Sequence, residues 1–154
     1  MALTRRFTRR YARYSPGQLF ALASDIESYP SFVPGCRRAN IVSREGDALG
    51  QALTVENVFG FGPLNQPFRT SALLKPPHEL VIVSRDGPWR LFSMHWRFQR
   101  EQAGCRLYCE VTLDFASRVL NLLASLAAAD VERQVLAAFE RRAEKLFGVA
   151  AGGR

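Results

Sequence analysis

The sequence predicts an α+β domain in which a curved antiparallel sheet of about six to seven strands wraps around one long C-terminal helix. Three observations carry this expectation. Residues 118–147 contain neither proline nor glycine and hold an apolar stripe at helical spacing. Residues 37–115 hold no long helical stripe and break into alternating runs separated by turn formers. Between Ser15 and Cys36 a capped apolar stripe runs into a proline-bounded aromatic corner, which reads as two short helices following a first strand.

The first strand is basic. Arg5, Arg6, Arg9, Arg10 and Arg13 follow one another without an acidic neighbour. Strand alternation places Arg5, Arg9 and Arg13 on one face and Arg6 and Arg10 on the other. Arg5, Arg9 and Arg13 are the expected contact for an anionic membrane surface. In the first short helix Ser15 is a cap, Pro16 suits the first turn, and Gln18 completes a capping box. Leu19, Phe20, Leu22 and Ala23 then form its apolar stripe. The corner Asp25-Ile26-Glu27-Ser28-Tyr29-Pro30-Ser31-Phe32-Val33-Pro34-Gly35 sets Tyr29, Phe32 and Val33 among turn residues, the composition of a mouth over a cavity.

The strands follow. Ala39–Arg44 and Ala48–Phe59 form a hairpin through Glu45-Gly46-Asp47. Gly60-Phe61-Gly62-Pro63 reads as a loop with an aromatic tip. Phe68–Lys75 and Glu79–Arg85 meet at Pro76-Pro77-His78. Trp89–Arg100 puts Phe92, Met94, Trp96 and Phe98 on one face, and Arg106–Phe115 puts Leu107, Cys109, Val111, Leu113 and Phe115 on one face. The helix from Arg118 to Phe147 is about 45 Å long. Its first half, with Val119, Leu120, Leu122, Leu123 and Leu126, is apolar nearly all round and so needs cover on more than one side. On its second half Glu132, Glu140 and Glu144 alternate with basic residues, which reads as a solvated face.

Composition bounds the function. The 154 residues make one domain, 1–148, with a frayed tail from 149 to 154. No apolar run reaches the roughly 18 residues that span a bilayer. Three cysteines, Cys36, Cys105 and Cys109, are too few for a disulfide framework, and the last two lie about 13 Å apart on one strand. A reducing compartment follows. The net charge of +7 favours anionic partners, membrane or RNA. Neither His78 nor His95 stands at ligand spacing from a cysteine pair, so no metal site is expected. No nucleophile elbow, phosphate loop or dinucleotide fingerprint occurs. Glu110 and Asp114 share a strand face about 13 Å apart, too far to act as a pair, and read as solvated charges. His95 reads as a surface residue.

The element order is that of the helix-grip fold. The stretch Leu19-Phe20 followed by Asp25-Ile26-Glu27-Ser28-Tyr29-Pro30-Ser31-Phe32-Val33-Pro34-Gly35-Cys36 resembles the signature of the coenzyme Q-binding branch of the START-like, or polyketide cyclase, superfamily. The same branch carries the label ribosome-association toxin. Pro76-Pro77, Trp96-Arg97-Phe98, Asp114-Phe115-Ala116-Ser117 and Ala138-Phe139-Glu140-Arg141-Arg142-Ala143 extend the resemblance over nearly the whole chain. It implies a binding protein, not an enzyme, that holds a polyprenyl quinone such as ubiquinone, or another apolar lipid, as carrier or chaperone in respiratory electron transfer. It implies a cytoplasmic place at the inner membrane face, or the mitochondrial matrix in a eukaryote, with peripheral contact to an anionic membrane and none to DNA. The expected cavity and mouth residues are Tyr29, Phe32, Val33, Phe59, Phe61, Phe92, Met94, Trp96, Leu113, Phe115, Leu120 and Leu123. Two alternatives stay open: a ribosome-binding toxin that blocks subunit association, and a polyketide cyclase or aromatase. The cyclase would need polar groups inside the cavity, and the candidates Asn57, Gln66, Tyr108 and His95 read mostly as outward-facing.

Overall fold

The computed structural model describes residues 2–61 and 64–148; the side chains of Phe61 and Leu64 also lie outside the described part. The chain runs β1 (Leu3–Tyr11), α1 (Pro16–Ser24), a 3-10 helix (Ile26–Ser31), β2 (Cys36–Asp47), β3 (Gly50–Phe61), β4 (Leu64–Lys75), β5 (Glu79–Ser84), β6 (Trp89–Arg100), β7 (Cys105–Phe115) and α2 (Arg118–Phe147). The seven strands form one antiparallel sheet in the order β1-β7-β6-β5-β4-β3-β2. From β3 onward each strand pairs with the one before it, β1 pairs with β7, and β1 and β2 are the two edges.

The local devices are those the residues dictate. Ser15 Oγ accepts from the Gln18 amide at 3.1 Å while the Ser15 amide donates to Gln18 Oε1 at 2.9 Å, a complete capping box. Ser117 Oγ caps α2 by accepting from the Leu120 amide at 3.2 Å. Irregularities at Cys36/Arg38 and Ile41/Ser43 in β2 and at Trp89/Leu91 in β6 bend the sheet. Gly104 turns β6 into β7 at φ +86°, where a Cβ would lie 1.8 Å from the Tyr11 carbonyl oxygen, so no other residue fits.

Some expectations shift. β2 starts at Cys36, three residues earlier than the hydrophobic pattern showed. Gly60 and Phe61 belong to the ladder, paired with Asn65 and Leu64, and not to the expected loop. Gly62 and Pro63, and the tail from 149, lie outside the described residues. Arg13 follows the end of β1 and does not share the strand face of Arg5 and Arg9.

The concave face of the sheet carries the core: Leu53, Val55, Ala72, Leu74, Leu80, Ile82, Trp96, Phe98, Leu107 and Cys109 are all buried there. The second half of α2, α1 and the 3-10 corner cover it, contributing Leu136, Ala143, Leu19, Phe20, Leu22 and Ile26.

Candidate functional site

The cover over the concave face is uneven, and that unevenness makes the site. At the end of the groove near the α2 C-terminus the rings close. Phe139 packs edge-on against Phe32 at 5.2 Å and Tyr29 at 6.0 Å, and lies 5.1 Å from Trp96. Phe20 meets Phe98 edge-on at 6.0 Å. Between these groups a void of only about 20 Å³ remains, lined by Tyr11, Leu19, Trp96, Leu136, Phe139 and Ala143 among others.

At the other end the groove is open. No α2 residue before Leu136 is buried. Phe92, Met94, Val111, Leu113 and Phe115 on the sheet are only half-covered, although all are apolar. A chain of rings floors this part. Phe59 lies 5.5 Å from Phe68, Phe68 is edge-on to Trp89 at 5.7 Å, and Trp89 stacks on Phe115 at 4.3 Å with Phe92 at 5.0 Å. The indole nitrogens of Trp89 and Trp96 are buried with no hydrogen-bond partner. A buried donor without an acceptor costs free energy, and both indoles carry that cost, Trp89 among the rings of the open end and Trp96 at the closed end.

Nine of the twelve residues singled out from sequence fall into two groups. Phe59, Phe92, Met94, Leu113 and Phe115 come together along the open floor. Tyr29, Phe32 and Trp96 sit at the closed end, with Val33 packed against the same core. Tyr29 donates from Oη to the Ala23 carbonyl, which ties the corner to α1. Burial drives the Tyr29 phenol far above its ordinary range, so it stays a neutral donor. Leu120 and Leu123 are 37% and 54% exposed and stand on the flank of α2. Phe61's side chain is outside the described part.

The polar groups differ more from expectation. Three of the four arginines of β1 have acidic partners supplied by distant elements, and the fourth, Arg9, is exposed. Arg5 Nε donates to Glu132 Oε1 at 2.7 Å, Arg6 pairs with Glu110, and Arg10 pairs with Glu101 at 3.1 Å. Arg5 thus reaches toward α2, with 40% of its side chain still exposed. Glu132 and Glu140, read from sequence as part of a solvated face, both reach the sheet side: Tyr11 Oη donates to Glu140 Oε2 at 2.9 Å. The two glutamates are eight residues apart, which puts them on one helix face. Asp114 is not a solvated charge. Asn121 Nδ2 donates to its carboxylate at 3.1 Å, and Asn121 Oδ1 accepts from the Phe115 amide at 2.8 Å. Asn57 is buried on the concave side, with Nδ2 donating to the carbonyls of Val55 and Phe68 at 3.2 Å and to Thr70 Oγ1 at 3.1 Å. Its amide hydrogens are used on its own sheet. Tyr108 faces out under the Arg97 guanidinium, and His95 faces out to Glu79.

All three cysteines are buried free thiols. Burial raises Cys36 to about 11 and Cys109 to about 12, so both stay protonated and unreactive near neutral pH. Among the described residues no group of three His, Cys, Asp or Glu side chains is placed to hold a metal ion, and no helix is long and apolar enough to cross a membrane.

With this geometry in view, the sequence comparisons decide the family. The family model described as polyketide cyclase / dehydrase and lipid transport matches residues 13–140. The chain belongs to this family. The chain is 24% identical over 136 residues to the ribosome association toxin RatA of Vibrio cholerae, covering 88% of this chain and 92% of that one. It is 29% identical over 142 residues to the mitochondrial coenzyme Q-binding protein COQ10 homolog B of Xenopus laevis, covering 88% of this chain and 56% of the frog protein. Among solved structures, an 18 kDa protein of Caulobacter crescentus superposes with a TM-score of 0.76 at 24% identity over 97% of this chain and 99% of that one. The Zhui aromatase/cyclase of a Streptomyces species superposes at 0.72 and 15% identity over 97% and 100%. These superpositions show the fold: a curved seven-stranded antiparallel sheet gripping a long C-terminal helix.

Proposed function

We propose that the chain binds a polyprenyl quinone such as ubiquinone, or a similar long apolar lipid, along the open half of the groove, as a carrier or chaperone in respiratory electron transfer. The observation that carries this reading is the half-covered apolar floor with the buried, unpartnered Trp89 N–H set among its rings. An isoprenoid tail gains about 0.8 kcal/mol for each methylene it buries. A bilayer offers the tail the same burial, so transfer between the two is near neutral and cargo can be released. A quinone carbonyl supplies the acceptor that the indole lacks. Similarity to the coenzyme Q-binding relative supports the choice of cargo. The test is organic extraction of the purified chain with mass spectrometry of the extract. A quinone or comparable lipid should co-purify with the wild type and be lost from Leu113→Glu at unchanged thermal midpoint. A folded Leu113→Glu variant with full lipid content would remove this groove as the site.

A second reading, ribosome association, is supported by the toxin relatives and by one surface. On the outer face of β2–β5 a trough of about 1050 Å³ is lined by Arg38, Arg69 and Arg85 together with Glu56 and Asp86, and Arg69 is paired with Glu56 at 2.6 Å, which leaves Arg38 and Arg85 as its candidate anion contacts. Co-sedimentation with ribosomal subunits at physiological salt, lost in Arg38→Gln with Arg85→Gln, would favour it. Free chain at that salt would remove it.

A further inference from the structure

The first half of α2 is the largest stretch of uncovered apolar surface on the described chain. Val119 is 66% exposed, Leu122 61% and Leu126 76%, with Leu120, Leu123 and Val131 also open to solvent. Isolated exposed leucines are ordinary, but six large apolar side chains on one half of one helix are not. From residue 119 to 129 there is no charged residue. At about 100° per residue the exposed side chains span roughly 200° of the helix circumference, with the sheet occupying the rest.

The geometry points to a lipid bilayer as the cover: this half of α2 lies in the membrane interface. The width of the arc decides against a single partner helix, which covers only a narrow seam. Lipid wraps a protruding cylinder on all its free sides. The uncharged run is about 16 Å long, too short to span and of a length to lie in the interfacial plane. Its ends carry the charge pattern that placement needs. Arg118 opens the helix, Arg90 is exposed near the same end, 4.0 Å from Asp114, and the first acid on α2 is Asp130, paired with Arg133 where the apolar run stops. Cations at one rim favour anionic headgroups. The apolar face also adjoins the open groove, since Asn121 ties this half to the end of β7 beside Phe115. This deepens the lipid-carrier reading and rests on it for the cargo's route, not for the contact itself.

The experiment is flotation of the full chain with phosphatidylcholine vesicles, with and without phosphatidylglycerol. The wild type should float, more so with phosphatidylglycerol. Leu122→Ser with Leu126→Ser should lower the partition coefficient about tenfold or more, with the thermal midpoint kept because both side chains are exposed. Leu126→Trp should show a blue-shifted emission on vesicle addition, and this readout holds even if the serine variant fails to fold. Wild-type chain that stays in the aqueous fraction, or a serine variant that floats equally, overturns the contact. So does a wild-type dimer that the serine variant converts to monomer while no vesicle binding is seen, which would assign the face to a second copy. Quinone content is read separately on the same preparations. Flotation without quinone sinks the cargo reading and keeps the contact; quinone without flotation does the reverse.

Discussion

The two halves of α2 invert what their compositions suggest. The first half is nearly all apolar and stands largely in solvent; the second carries three glutamates and several basic residues and is packed into the core. Spacing and size explain the inversion. In the second half the small Ala143 lies with Leu136 opposite Leu19, Leu22 and Ala23 of α1, and Phe139 packs against Trp96, Tyr29 and Phe32. In the first half the least exposed positions are Asn121, Ala124 and Ala128, all of them short side chains that bury little apolar surface. The leucines lie to either side. Hydrophobicity says how much surface must leave water; the identity of the facing residues decides whether the protein itself can cover it.

The largest test of this difference is truncation. Phe139→Ala should cost about 3 kcal/mol in denaturant unfolding, because it leaves a hole among three rings that cannot collapse. Leu122→Ala should cost less than about 0.5 kcal/mol. Equal losses would mean that the first half is packed after all.

The floor beneath the junction of the halves gives a pH test. Desolvation first, then the Glu132 and Glu110 charges, raise the Cys109 thiol to about 12, while a thiol in the unfolded chain ionises near 9.0. A group whose folded value is raised contributes stability below the unfolded value and loses it as pH climbs toward the folded one. Stability should therefore hold to about pH 9 and then fall by about 1.4 kcal/mol per pH unit for this thiol, with Cys36 adding to the decline up to about 11. Cys109→Ala should flatten that limb. An unchanged alkaline slope would mean that water reaches the thiol.

Most of the fold was legible in the chain because each signal was local. Ser15, Pro16 and Gln18 mark the start of α1, residues 89–100 alternate without a break, and the absence of proline and glycine from 118 to 147 bounds α2 at both ends. The site was legible only as a set of apolar faces. Partners more than a hundred residues apart, such as Arg5 with Glu132 and Tyr11 with Glu140, leave no local trace, and so the β1 arginines read as unpaired. The split of the aromatic residues into a closed and an open cluster depends on where α2 crosses the sheet, a tertiary fact. The eight-residue spacing of Glu132 and Glu140 was the one available signal that this helix face meets something.

The Arg5–Glu132 pair joins β1 to the middle of α2 and gives the next test. Both side chains are partly exposed, at 40% and 23%, so solvent screens the charge. A double-mutant cycle with Arg5→Gln and Glu132→Gln should yield a coupling of about 0.5–1 kcal/mol, reduced by salt. A coupling of zero would leave α2 positioned over β1 by packing alone.

The smallest expected effect is the most informative about the cargo. Trp89→Phe keeps an aromatic ring against Phe115 and Phe68 but deletes the buried N–H that has no partner. In the lipid-free protein this removes an uncompensated donor and a little ring area, so the two changes offset and stability should move by less than about 1 kcal/mol. If a quinone carbonyl accepts from this N–H, its loss costs about 0.5–1.5 kcal/mol of binding, a drop in quinone affinity of about threefold to tenfold. Trp96→Phe is the matched control. Its N–H is equally unpartnered, but it lies at the closed end against Phe139, out of reach of a lipid in the open half. Affinity should fall in the Trp89 variant and hold in the Trp96 variant. Equal losses would place the headgroup deeper than the open half, and no loss in either would leave the cargo held by apolar burial alone.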